Sequence, residues 1–102
     1  MKNSNVNINL YKTFLEVYEL KNISKTAKKM YISQSAVSQN IKSLENQLGV
    51  TLFKKSTKGI FPTNDAYLIY EDVKKAFNIL FNCEDKININ KGKHIGVINI
   101  GI

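Results

Sequence analysis

Residues 32–48 read ISQSAVSQNIKSLENQL, and the fold turns on how this stretch is placed. At about 100° per residue, Val37, Ile41, Leu44 and Leu48 fall within roughly 60° of one another, which makes them the buried face of one helix. The opposite side collects Ser35, Ser38, Gln39, Lys42 and Asn46, with Gln34 at the leading end. A solvated helix face ordinarily mixes acidic and basic residues, whereas this one carries a single lysine and no carboxylate. Short hydroxyls and amides match the donors and acceptors on DNA base edges and phosphates. Ser33 has the chemistry to cap the helix, its free N–H groups suit a phosphate, and Gly49 suits the left-handed residue that ends it.

Upstream, Leu10, Phe14, Val17 and Tyr18 recur at helical spacing and predict a first helix over 8–20, capped by Asn7 or Asn9 and ended at Lys21-Asn22. Residues 1–7 form a flexible start in this reading. Ser24 is the expected cap of a short second helix with Ala27, Met30 and Tyr31 on one face, broken at Ile32-Ser33. Downstream, Leu52-Phe53 and Ile60-Phe61 flank the polar tip Lys54-Lys55-Ser56-Thr57-Lys58-Gly59, a small hairpin over about 51–62 with Pro62 at its end. Thr63 is a competent cap for a fourth helix over 64–85. In it Ala66, Tyr70, Val73, Phe77 and Leu80 lie four, three, four and three residues apart, with Ile69, Ala76 and Phe81 widening the stripe. The segment 86–102 reads as a hinge followed by a strand pattern, with Ile or Val at 95, 97, 98, 100 and 102, the first strand of a further domain.

A capped short helix, a tight break and a longer helix constitute a helix-turn-helix at about 24–48. A basic hairpin directly after it is the wing of the winged form. The expected fold is therefore mainly α: a winged helix-turn-helix domain over 8–63, with three helices and a two-stranded wing, followed by a long linker or dimerisation helix.

Composition narrows the function. The 102 residues hold 15 basic and 8 acidic side chains, a net charge of +7 that suits a polyanionic partner. Every basic residue is lysine, so the forked guanidinium contact to guanine is absent from the chain and base reading falls to Gln, Asn, Ser and Lys. One cysteine, Cys83, and one histidine, His94, exclude a disulfide framework and a zinc ribbon and point to a reducing, cytoplasmic setting. Cys83 reads as a small buried or boundary residue and His94 as solvated. No apolar run approaches the roughly 20 residues of a membrane span. The scattered carboxylates and the absence of a Gly-rich phosphate loop argue against an enzyme, so no catalytic residue, metal site or cofactor is expected. A membrane-surface module needs a lysine-rich polar face that the fourth helix lacks. The remaining alternative is a helical protein-interaction scaffold without DNA affinity.

The run SKTAKKMYISQSAVSQNIKSLENQLGVTLFKK resembles the N-terminal DNA-binding region of LysR-type transcriptional regulators, with similarity from about Ile8 to Leu80. Its most specific parts are Phe14 with Ser24 and Ala27, the SQSAVS turn, and the string Ile41, Leu44-Glu45, Leu48-Gly49, Leu52-Phe53. The resemblance implies that Gln34, Ser35, Ser38 and Gln39 face the major groove. It places Ser24, Thr26 and Lys42, together with Ser33 at the helix start, near phosphates. Lys58 takes the place of a minor-groove basic residue, and Lys55 belongs with it on the wing. The fourth helix is similar to a linker helix that pairs two subunits through Ala66, Tyr70, Val73, Phe77 and Leu80. Implied partners are duplex DNA bearing a pseudo-palindromic operator, a second copy of the chain and, through the further domain, a small-molecule effector. The sequence departs from the family pattern where Ser35 replaces proline, Gln39 replaces arginine, Lys55 and Lys58 replace wing arginines, and Asp65-Ala66 replaces Ala-Gly.

Overall fold

A computed structural model describes residues 6–95, in the order α1 (Ile8–Leu20), α2 (Ile23–Met30), α3 (Gln34–Leu48), β1 (Phe53–Ser56), β2 (Gly59–Pro62) and α4 (Asn64–Ile95). This is a winged helix-turn-helix followed by a long helix.

Each helix boundary has a local cause. The Asn7 side chain accepts from the Asn9 amide at 3.0 Å, and Lys21 closes α1 in the left-handed region at φ 50°. The cap of α2 is Asn22, whose Oδ1 accepts from the Lys25 amide at 2.7 Å. Ser24, the expected cap, lies inside the first turn, because the asparagine two residues earlier starts the helix by taking the Lys25 amide. Ser33 caps α3 by accepting from the Ala36 amide at 3.0 Å, and Gly49 ends it at φ 73°. Thr63 does the same for α4, accepting from the Ala66 amide at 3.2 Å while its hydroxyl donates to the Thr51 carbonyl at 2.6 Å.

The core lies where α1, α2 and α3 meet. Phe14, Val17, Val37, Leu44 and Leu52 are its fully buried large side chains, and the small buried Ala27 lets α2 approach its neighbours. Two expected core residues sit elsewhere. Leu48 is 40% exposed, on the last turn past Leu44. Tyr31 follows the end of α2 at φ 60°, so the helical period no longer governs it, and its side chain is 94% exposed.

The wing is a two-stranded antiparallel sheet pairing Phe53 with Pro62 and Ser56 with Gly59, so that Thr57 and Lys58 form the turn. Phe53 and Ile60 point into the core and hold the hairpin down.

Helix α4 runs ten residues beyond the expected end near Asp85, through the segment read as a hinge. The strand expected over 95–102 lies outside the described residues except for Ile95, which ends the helix. The helix packs on α1, with Tyr18 and Tyr70 stacked at 4.0 Å between centroids and 13° between planes. The Lys12 ammonium sits 5.4 Å from the Phe77 ring and 5.3 Å from that of Phe81.

That contact divides the row expected to pair two subunits. Ala66, Val73 and Phe77 are buried inside this one chain, and Tyr70 is half-buried on Tyr18. Heptad spacing shows that a helix needs a partner surface, and here α1 supplies much of it. Leu80 remains exposed, together with Tyr67, Leu68, Ile79, Phe81, Ile87 and Ile89. Cys83, expected at a buried or boundary position, is exposed.

Candidate nucleic-acid interface

What α3 shows to solvent is decided by how it is clamped beneath. Val37, Ile41 and Leu44 are its buried residues. A polar clamp adds direction: the Asn40 amide donates to Thr13 Oγ1 at 3.0 Å, and Thr13 in turn donates to the Asn9 carbonyl at 2.9 Å. Thr13 is fully buried, so a rotation of α3 about its own axis breaks a hydrogen bond shielded from water. With that side fixed, Gln34, Ser35, Gln39, Lys42 and Asn46 are exposed and Ser38 is half-buried. Gln39 Nε2 donates to Ser43 Oγ at 3.3 Å, which pre-orients the amide along the helix.

The wing meets this face. Ser38 and Lys42 of α3 line one depression with Lys55 and Ile60 of the wing and Ile23 of α2, over a floor formed by Ile41 and Phe53. A second depression next to it joins Lys21, Asn22 and Ile23 to Lys55, Ser56 and Gly59. The start of α2, the middle of α3 and the wing therefore border one surface, with Ile23, Ile41, Phe53 and Ile60 beneath and Lys21, Lys42 and Lys55 at its rim. Lys42, Lys55 and Lys58 are exposed, and none stands in an ion pair among the described residues.

One expected phosphate contact changes. Thr26 is fully buried and its hydroxyl donates to the Asn22 carbonyl at 2.8 Å, which removes it from any ligand; it holds the first turn of α2 instead. Ser24 is half-buried in that turn. Ser33 is exposed, but its hydroxyl already serves the Ala36 amide and lies 3.5 Å from that of Ser35.

Electrostatics tie α2 to α1 away from this surface. Glu16 is buried, with Lys12 at 3.0 Å and Lys29 at 2.9 Å. Burial alone pushes its carboxyl up, yet contact with the Lys29 and Lys12 ammonium groups outweighs that and holds it below the usual carboxylate value.

Two residues that sequence reasoning left out of the site shape it. Asn40 is one. Glu45 is the other: its Oε2 accepts from the Leu52 amide at 2.7 Å and the Phe53 amide at 3.3 Å, at the root of the wing. The only sequence signal for Glu45 is its place in the Leu44-Glu45 string of the resemblance.

Among the described residues no group of three or more His, Cys, Asp or Glu side chains is placed to hold a metal ion, and no helix is long and apolar enough to cross a membrane.

Comparison with known proteins agrees with this geometry. A family model described as bacterial regulatory helix-turn-helix protein, lysR family, matches residues 8–67. The chain is 40% identical over 57 residues to the HTH-type transcriptional regulator BlaA of Proteus vulgaris, covering 56% of this chain and 20% of that protein. It is 49% identical over 51 residues to the regulator HdfR of Escherichia coli, covering 50% and 18% respectively. It thus spans about a fifth of the length of these relatives. Among solved structures, the DNA complex of the CbnR DNA-binding domain superposes with a TM-score of 0.73 at 26% identity, covering 84% of this chain and 99% of that one. Oxidized Corynebacterium glutamicum OxyR gives a TM-score of 0.78 at 26% identity, covering 84% of this chain and 28% of that one.

Proposed function

The chain belongs to the lysR family of bacterial regulatory helix-turn-helix proteins, and from that membership we propose that it reads duplex DNA sequence-specifically as the DNA-binding part of a cytoplasmic transcriptional regulator. The observation that carries this reading is the division of α3, with Val37, Ile41 and Leu44 buried beneath and Gln34, Ser35, Gln39 and Lys42 exposed above. In this reading α3 enters the major groove. Gln34 and Gln39 offer a donor and an acceptor to an adenine edge, and Ser35 and Ser38 approach either base type. Ser33, Lys42 and the amides at the start of α3 hold phosphates on one side, with Ser24 at the start of α2. Lys55 and Lys58 hold the backbone or the minor groove on the other.

The lack of any guanidinium shapes what such a surface can recognise. Lysine is a point charge that binds a narrow minor groove less favourably than arginine, so discrimination rests on the amides and hydroxyls of α3.

Pairing of two copies uses the face of α4 that this chain leaves uncovered, from Leu68 through Ile79 and Leu80 to Ile87. Contiguous apolar surface of this kind is unfavourable in water until a partner covers it. A symmetric pair presents two α3 helices to a pseudo-palindromic operator. A small-molecule effector acts, in the same reading, through a further domain. The family is one of regulators, and the surface acts by binding without chemical turnover.

Selection of bound duplexes from a random pool, with light scattering of the recovered complexes, tests the whole reading. The expected result is a dyad-symmetric site occupied by two chains. Recovery of unrelated sequences at equal affinity refutes sequence reading, and one chain per site refutes the pairing.

A further inference from the structure

We infer that Glu45 is the positioning residue that sets the wing against α3, and so fixes how far the wing lysines stand from the base-reading face. The inference rests on the DNA-binding reading above. Its basis is a convergence of backbone donors on one residue. The Glu45 carbonyl accepts from the Gly49 amide at 2.8 Å and the Val50 amide at 3.2 Å, which closes the helix. Its carboxylate accepts from the Leu52 amide at 2.7 Å and the Phe53 amide at 3.3 Å, seven and eight residues on. Four of the five amides from Gly49 to Phe53 therefore point at a single side of α3.

Leu52 and Phe53 are buried, at 0% and 8% exposure, so their amides depend on a protein acceptor. Hydrogen bonds to a carboxylate are the stronger kind, and a half-buried one is shielded from competing water. The returning strand is held from its other end, where the Thr63 amide donates to the Leu52 carbonyl at 2.9 Å. Leu52 is thus pinned on its N–H by α3 and on its C=O by the start of α4. Between these pins the hairpin has little freedom to pivot.

The carboxylate lines the same depression as Lys42 and Lys55. One carboxylate oxygen, Oε2, takes both backbone amides, and the carboxylate forms no ion pair with either lysine among the described residues, so both ammonium groups stay available to a polyanion. Glu45 is therefore a hinge pin for the wing and does not itself touch DNA.

The test is a double-mutant cycle between Glu45 and Lys58 on the duplex recovered by selection, read by equilibrium affinity at several salt concentrations. In the parent background Lys58→Ala lowers affinity and removes about one unit of salt slope. In Glu45→Ala the wing is released, so the further change Lys58→Ala alters affinity less than about twofold and leaves the slope nearly unchanged. Glu45→Gln retains an acceptor oxygen at the same reach and restores most of the Lys58 effect. Glu45→Asp retains the charge but falls short by one methylene and behaves like Glu45→Ala. A role confined to folding would lower melting temperature without removing the coupling. Amide exchange adds a readout that needs no DNA: the Leu52 and Phe53 amides exchange faster in Glu45→Ala and Glu45→Asp than in Glu45→Gln. A folded Glu45→Ala or Glu45→Asp variant that keeps the full Lys58→Ala loss overturns the positioning role while the DNA reading stands. Absence of duplex binding by the parent chain overturns the DNA reading itself, and the functional half of this proposal with it.

Discussion

Replacing Lys42, Lys55 and Lys58 together by alanine tests the basic surface as a quantity. All three are exposed and none is engaged in an ion pair among the described residues, so each is free to displace a counterion from a phosphate. Each such contact contributes about 0.9 to the slope of log affinity against log salt. A fourfold rise in salt, from about 50 to about 200 mM, then weakens binding about 3.5-fold per contact and about 40-fold for three. The triple variant should show a slope shallower by about 2.7, with its affinity falling about 40-fold less than the parent's across that window. Fluorescence anisotropy with one specific and one random duplex measures both lines. The loss should be the same on both duplexes, because phosphates carry no sequence. As a control, Lys86→Ala on the exposed outer part of α4 should leave the slope unchanged. A triple variant whose slope moves by less than one unit, or one that loses affinity on the specific duplex alone, refutes the assignment of these lysines to phosphates.

The remaining predictions concern reading, pH and backbone strain. Gln34→Ala or Ser38→Ala should cost about 1–3 kcal/mol on the specific duplex and nearly nothing on random duplex, measured in the same assay, since the proposed reading sets these residues against base edges. Glu16 has a folded-state pKa held below the usual 4.5, so its contribution to stability is complete above that value and is lost as pH falls through the lowered one. Glu16→Gln should therefore cost about 1–2 kcal/mol in urea unfolding at pH 7, with the gap to the parent closing toward pH 3. Tyr31 combines a φ of 60° with a side chain 94% exposed, so strain is present and burial offsets little of it. Tyr31→Asn, which tolerates that conformation, should raise stability by about 0.5–1 kcal/mol, seen as a melting-temperature rise of a few degrees.

Much of this architecture was legible because local signals marked it. Asn7 and the Leu10, Phe14, Val17 spacing set α1, and Ser33 and Gly49 bracket α3 on both sides. The outward row of α3 followed from the same wheel that buried Val37, Ile41 and Leu44. Asn22 reads only as the turn after α1, so Ser24 is the expected cap of α2, a role that Asn22 takes. Thr26 enters as a phosphate contact through the family resemblance alone, and a hydroxyl in a sequence does not show whether it serves solvent or its own helix. The a/d row of α4 showed that an apolar surface needed covering, but not that Ala66, Val73 and Phe77 would be buried within the same chain. Asn40 and Glu45 were the least accessible: one reaches a residue 27 positions earlier, and the other amides seven and eight positions later past a glycine turn. Such roles exist only once the chain has folded back.

Helix α1 is fastened on both flanks, to α3 through Thr13 and Asn40 and to α4 through Tyr18 and Tyr70. It behaves as an axle between the two. In the proposed pair, a torque applied to the distal length of α4 is carried through this axle to α3, so whatever acts on that lever changes the spacing and tilt of the two α3 helices.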